Sequence, residues 1–305
     1  MEKFSFHTLL APAWRASTAK KLPWIFGMII ALVGIYESRL GTPLGEAASL
    51  QELASLFSSY TPYEMLSLTL VFLALSIVGI FGKSNLIAAL AFVAGKTESP
   101  NHPATLPAIR KNFFWALALE CIAFLLLLAV VGIVAIPFLI ASWQNPEALT
   151  SLAHLGILTL IPVIIIIFFI KEYALFYLLL SPLPLRGAIE VGGALFSRRI
   201  GTSLLFGAFS FLLMAFFTFC LNLVILGIDA LTKSIAAPFA GTTLSLIASA
   251  VLFAWFAIFQ QALWIAFFKA IATPPEIPEA EGAVAEKENT LPNSNHHLPD
   301  SPPAQ

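Results

Sequence analysis

Six long runs of apolar residues constrain this chain more than any other feature of its sequence. They extend approximately over Leu22 to Tyr36, Met65 to Gly82, Phe113 to Ser142, Leu155 to Leu180, Ile200 to Leu231 and Gly241 to Phe268. A helix of about 20 apolar residues crosses the hydrocarbon of a bilayer, because only hydrogen bonds internal to the segment can satisfy a backbone there. The runs therefore predict an all-α fold, a polytopic membrane bundle of six transmembrane helices accompanied by short interfacial helices. Several runs exceed the minimum length, so tilted or kinked helices are expected, with Pro137 and Pro162 as the bending points because each lacks a backbone donor. Trp24, Trp115, Trp143 and Trp264 fall near predicted span ends, where amphipathic rings suit the headgroup level.

Composition agrees. Of the 305 residues, 59% are hydrophobic and 11% charged, and the mean hydropathy is +0.89, outside the range of a soluble domain. A formal net charge of −1, with Lys and Arg scattered in small groups, argues against nucleic acid as a partner, since phosphate binding needs a concentrated basic field. The two cysteines, Cys121 and Cys220, sit inside apolar runs without the spacing of a metal site, and are expected to be small buried hydrophobes.

The positive residues set the expected orientation. With the N-terminus inside, the cytoplasmic segments carry Lys3, Arg15, Lys20, Lys21, Lys83, Lys96, Arg110, Lys111, Lys171, Arg186, Arg198, Arg199, Lys269 and Lys287, leaving Arg39 and Lys233 outside. This bias predicts that both termini are cytoplasmic. The first span is read as retained and not as a cleaved leader, because no small-residue cleavage site follows closely and Glu37, Ser38 and Arg39 intervene. The location expected is the cell (inner) membrane.

A basic pair precedes each outward span: Lys20-Lys21 before LPWIFG, Arg110-Lys111 before NFFWAL and Arg198-Arg199 before IGTSLLFG, about ninety residues apart. Ahead of each pair lies a candidate inner-surface helix, over Phe4 to Ala19, Asn85 to Gly95 and Gly187 to Ser197. Two readings remain open: three tandem units, over about 1–82, 83–181 and 182–272, or basic pairs that simply mark inner helix ends. In RGAIEVGGALFSRR, Ile189, Gly192, Gly193 and Phe196 share a helical face on which the glycines permit close approach to a neighbour, with Glu190 and Ser197 elsewhere on the wheel. NLIAALAFVAGK is apolar enough to be buried between spans. Outside, Leu50, Leu53, Ala54 and Phe57 have amphipathic helical spacing. From Thr273 to Gln305 the chain turns rich in Pro, Glu, Asn and Ser, which predicts a disordered cytoplasmic tail, separate from the domain over 1–272.

Taken together, KKLPWIFGMIIALVGIYESRL, LPAIRKNFFWALALE and SPLPLRGAIEVGGALFSRRIGTSLLFGAF resemble a group of uncharacterised bacterial six-span proteins. They are also similar, more distantly, to the membrane domain fused to some glycerophosphodiester phosphodiesterases. The resemblance runs from about Phe4 to Thr273 and carries over no catalytic residue; the phosphodiesterase barrel itself would need about 250 further residues. It implies an all-helical bacterial membrane module with no assigned chemistry.

Ionisable residues inside spans are costly and point to function. Glu120 lies nine residues beyond Lys111, roughly 13 Å into the membrane at the helical rise. Gln260 and Gln261 reach a similar depth measured from Lys269, and Lys171 and Glu172 interrupt the fourth span on its inner side. These five residues form a candidate polar cluster near the cytoplasmic side, with Glu120 and Lys171 as the expected charge pair; the bland alternative has the lysine snorkelling and the glutamines merely joining helices. Asn222 and Asp229 on the fifth span read as a helix-linking amide and an end residue.

Enzyme signatures are absent: no phosphate loop, no HExxH, no GxSxG. His7, His102 and His154 stand in terminal or loop segments, and His296-His297 offer two ligands without support. No cofactor and no metal are expected. The partners expected are the bilayer and, at the cytoplasmic face, a protein or an anionic lipid, while the oligomeric state is left open. Two functions compete: a non-enzymatic module that scaffolds or assists through its inner face, and a transporter of ions or small molecules that uses the Glu120 layer. An intramembrane enzyme ranks third. A water-accessible cavity reaching Glu120 and Gln260 would favour transport; a filled bundle would favour the module.

Overall fold

Lipid removes the gain that drives helices together in water, so spans associate through close packing and polar bonds, and this fold is organised by both. The computed structural model describes residues 7–18, 21–46, 59–95, 106–144, 149–181, 183–234 and 238–272. Outside them lie Lys20, His102, the segment holding Leu50, Leu53, Ala54 and Phe57, and the tail from Thr273, together with the side chains of Pro137 and Trp143. The described residues form eight helices: α1 (His7–Thr18), α2 (Lys21–Glu46), α3 (Pro62–Gly95), α4 (Leu106–Gln144), α5 (Leu149–Leu180), α6 (Leu185–Arg198), α7 (Ile200–Ser234) and α8 (Pro238–Ile271). Six of them, α2 to α5, α7 and α8, are long and apolar enough to cross a membrane, so the chain is a multi-pass integral membrane protein.

The helices outrun the apolar stretches that announce them. α3 spans 34 residues, roughly 50 Å at the helical rise, against a hydrocarbon core of about 30 Å. The expected separate segment over Asn85 to Gly95 is the continuation of α3, because no proline and no glycine interrupts the chain between Lys83 and Ala94. It is also buried: Ser84, Asn85, Leu86, Ile87 and Leu90 are all shielded. α4 and α5 likewise run on either side of positions 137 and 162 as single helices.

Consecutive spans pair as three hairpins, α2 with α3, α4 with α5, and α7 with α8. They join at the end where the basic pairs lie. There Phe81 of α3 meets Phe26 of α2 and Phe113 of α4, and Gly27 of α2 lets α8 approach so closely that an added Cβ would stand 2.7 Å from Ile258. Behind this contact Phe206 stacks on Phe267 at 3.8 Å between centroids, Phe169 stacks on Phe196, and the buried Tyr173 hydroxyl donates to Ser203 Oγ at 2.6 Å. Trp264 belongs to this cluster, edge-on to Phe206, and is not the headgroup anchor its position suggested; α8 continues past it and packs on all sides. Away from the basic end, side chains such as Leu70, Phe124, Leu125, Phe211 and Phe216 are exposed, as lipid-facing residues can be without cost.

The two short helices brace this end. α1 lays Leu9, Ala13 and Ser17 against the bundle and sets Trp14 edge-on to Trp255 of α8 at 5.3 Å. α6 buries Ala188, Gly192, Leu195 and Phe196 against α5, a face rotated from the expected one. Gly192 is the close contact, where an added Cβ would lie 2.8 Å from the Ala174 nitrogen, whereas Gly193 faces open space. Its outer face carries Arg186, whose Nε donates to Glu190 Oε1 at 2.8 Å; that hydrogen bond holds the guanidinium above its ordinary range.

Three further expectations change. Cys121 is exposed and Cys220 half-buried, both free, because lipid solvates a thiol that water would force inside. Asp229, not Asn222, links helices: its Oδ1 accepts from Ser245 Oγ of α8 at 3.1 Å, while Asn222 is exposed.

Candidate functional site

Four charged side chains form a continuous chain across α3, α5 and α4. Lys171 Nζ donates to both oxygens of Glu120, at 2.9 and 3.0 Å, and lies 3.6 Å from Glu172 Oε1. Glu172 in turn accepts from Lys83 Nζ at 2.5 Å. Glu172 is the most enclosed member, its side chain 5% exposed against 17% for Lys171, 25% for Lys83 and 26% for Glu120. A carboxylate so deeply placed is sustained only by paired charges, and here two ammonium groups supply them. Adjacency in sequence makes this possible: Lys171 and Glu172 leave α5 in different directions, one toward α4 and one toward α3.

The outer members of this chain, Lys83 and Glu120, line a cleft of about 380 Å³ between α2, α3, α4 and α8. α2 contributes Ile30, Val33, Gly34 and Glu37, and α3 contributes Ser76, Gly79, Ile80 and Lys83. Each set has the i, i+3, i+4, i+7 spacing of one helical face, and α8 adds Ala257, Gln260 and Gln261 in the same rhythm. Glycine, alanine and serine keep the walls thin. Gly79 allows Val33 of α2 to sit at ordinary contact distance, whereas at Gly34 a Cβ would meet nothing within 4 Å. The void lies in front of Gly34.

Thus three of the five expected residues, Glu120, Gln260 and Gln261, face a common space. Lys171 stands behind Glu120 and Glu172 behind Lys83, both outside the lining. Lys83 and Glu37 join the cleft from outside the expected cluster, and the small and polar faces 30-33-34-37 and 76-79-80-83 are the sequence signal that marks them. Of the basic pairs, Lys21, Arg110, Lys111, Arg198 and Arg199 are exposed and take no part in the cleft.

The charges do not balance evenly. Lys83 is compensated by Glu172 and Glu120 by Lys171, which leaves the Glu37 carboxylate without a partner among the described residues. Gln261 keeps a buried Oε1 with no hydrogen-bond partner among them. Buried polar atoms are normally satisfied; this oxygen is closed off from the cleft, so the acceptor that the cleft presents to an entering solute is the Glu37 carboxylate. The described residues hold no group of three or more metal-ligating side chains. Comparison with protein-family models, curated proteins and solved structures finds no match to this chain.

Proposed function

We propose that the protein is a transporter whose cleft binds a small solute carrying an ammonium or other hydrogen-bond-donating group. The observation that carries this reading is the cavity reaching Glu120 and Gln260, lined on four helices by Glu37, Ser76, Lys83, Gln260 and Gln261. Its volume falls in the usual range of ligand sites, and its uncompensated Glu37 carboxylate selects for a cation over an anion. The Lys83-Glu172-Lys171-Glu120 chain would hold the wall rigid while Glu37 engages the solute. No catalytic role is assigned to any residue. In this reading the protein lies in the cell membrane with both termini cytoplasmic, as the positive-inside rule directs.

A second reading, an accessory module acting through its basic end, draws on the exposed Arg186, Glu190 and Arg198 of α6 and on Arg199 that follows it. Uptake of methylammonium into proteoliposomes separates the two. Transport predicts saturable uptake that Glu37→Gln abolishes and Arg198→Ala with Arg199→Ala leaves intact. Uptake indistinguishable from empty liposomes would sink the transport reading.

A further inference from the structure

A second cavity adjoins the same side of α8. It measures about 540 Å³ and is walled by α5 (Ile164, Phe168, Phe169), α7 (Leu204, Gly207, Phe211, Met214) and α8. Its floor is firm, with Phe169 3% and Trp264 6% exposed, while its rim residues Ile164, Phe168, Leu204 and Phe211 are open to the membrane. Gly207 lets the Phe169 ring pack directly against α7, its tip 2.7 Å from where an added Cβ would be, and so closes the inner end of the groove. Ser210 and Gln260 are the polar exceptions in an otherwise apolar lining.

Two links join this groove to the polar cleft. Gln260 is the side chain common to both linings. Lys171, bonded to Glu120 of the cleft wall, holds its ammonium 5.9 Å above the ring of Phe168 on the groove wall. An apolar slot open to lipid and the polar pocket that holds Glu37 thus meet at one residue.

We propose that the solute is an amphiphile, whose alkyl chain enters the groove between α5 and α7 from the bilayer and whose ammonium head passes Gln260 to the Glu37 carboxylate. This rests on the cleft being a ligand site. The chain's source is membrane lipid, because the groove rim faces the spans' lipid side, and the head is cationic, because among the described residues the uncompensated charge lining the cleft is the Glu37 carboxylate.

The test uses the full chain in phosphatidylcholine nanodiscs and tetradecylamine carrying a mid-chain diazirine, with labelled peptides mapped by mass spectrometry. The expected result is labelling at Phe168, Met214 or Trp264 that unlabelled tetradecylamine displaces and tetradecanoate does not. Ala208→Phe, which fills the groove from α7, and Glu37→Gln should each lower the displaceable fraction about tenfold, the scale of one charge-assisted contact. Leu204→Trp serves if Ala208→Phe does not fold. Labelling that no amine displaces, or that neither variant changes, overturns the proposal, and equal displacement by tetradecanoate overturns the cationic head. Methylammonium uptake in the same preparations separates the two levels. If Glu37→Gln abolishes it while groove labelling is never displaced, the amphiphile is wrong and the cleft reading stands; if neither responds to Glu37, both fall.

Discussion

Removing Glu172 should damage this protein more than removing Glu120, although both carboxylates bind Lys171. Glu172 holds two lysines, is 5% exposed, and lies between α3 and α5. Glu172→Ala leaves Lys83 without a carboxylate among the described residues and Lys171 with one. Breaking a buried pair by deleting one partner costs about 3–5 kcal/mol; the 25% exposure of Lys83 allows some relaxation toward solvent, which places the expected cost near the lower bound, about 3 kcal/mol. Glu120 is 26% exposed and its loss still leaves Lys171 beside Glu172, so a cost of about 1.5 kcal/mol is expected, the low end for a hydrogen bond to a charged group. The comparison is read by unfolding in mixed micelles followed by tryptophan fluorescence, with Lys83→Ala and the Lys83→Ala/Glu172→Ala double variant closing a cycle. The coupling should be about 1–3 kcal/mol. Additivity within about 0.5 kcal/mol, or a Glu120 variant that loses as much as the Glu172 variant, would refute a chain of charges centred on α5.

Other outcomes follow from the packing. Gly192→Ala should destabilise by about 1–3 kcal/mol, because its Cβ meets the backbone of α5, which cannot yield. Gly193→Ala on the same helix, facing open space, should be neutral or stabilising by up to about 1 kcal/mol; the same unfolding assay checks the pair. Phe206→Ala, which empties a fully buried site stacked on Phe267, should cost about 3–5 kcal/mol, whereas Phe211→Ala, 71% exposed, should stay within about 0.5 kcal/mol. Asp229→Ala should loosen the far end of the α7–α8 hairpin by removing the acceptor of Ser245, seen as faster amide exchange over the start of α8 with little change at Phe267.

Much of the architecture is legible in the sequence because lipid imposes a single demand, an unbroken apolar helix, that hydropathy reads directly. Helix ends are less legible, since nothing apolar marks where α3 stops once it leaves the hydrocarbon and packs on protein. The Glu120-Lys171 contact could be anticipated by counting depth from Lys111 along one helix and from the inner end of another. The partner of Glu172 could not: Lys83 sits at the edge of a span and reads as an ordinary positive-inside residue until α3 is laid beside α5. Glu37 was hidden for the same reason, as a polar residue that closes an apolar run. What hydropathy discards, the recurrence of Gly34 with Glu37 and of Ser76 and Gly79 with Lys83 on matching faces, is the trace of the cleft. Which helices face one another across it is a tertiary fact with no signature in one chain.

Water in the cleft decides between a solute site and a filled bundle, and thiol labelling reads it most directly. With Cys121→Ala and Cys220→Ala as background, Ser76→Cys in intact vesicles should react with a charged, membrane-impermeant thiol reagent, and Gly34→Phe should suppress that reaction by occupying the void. A Ser76→Cys protein that stays unreactive while folded, under conditions where a cysteine at the exposed Tyr63 position reacts, would contradict the account.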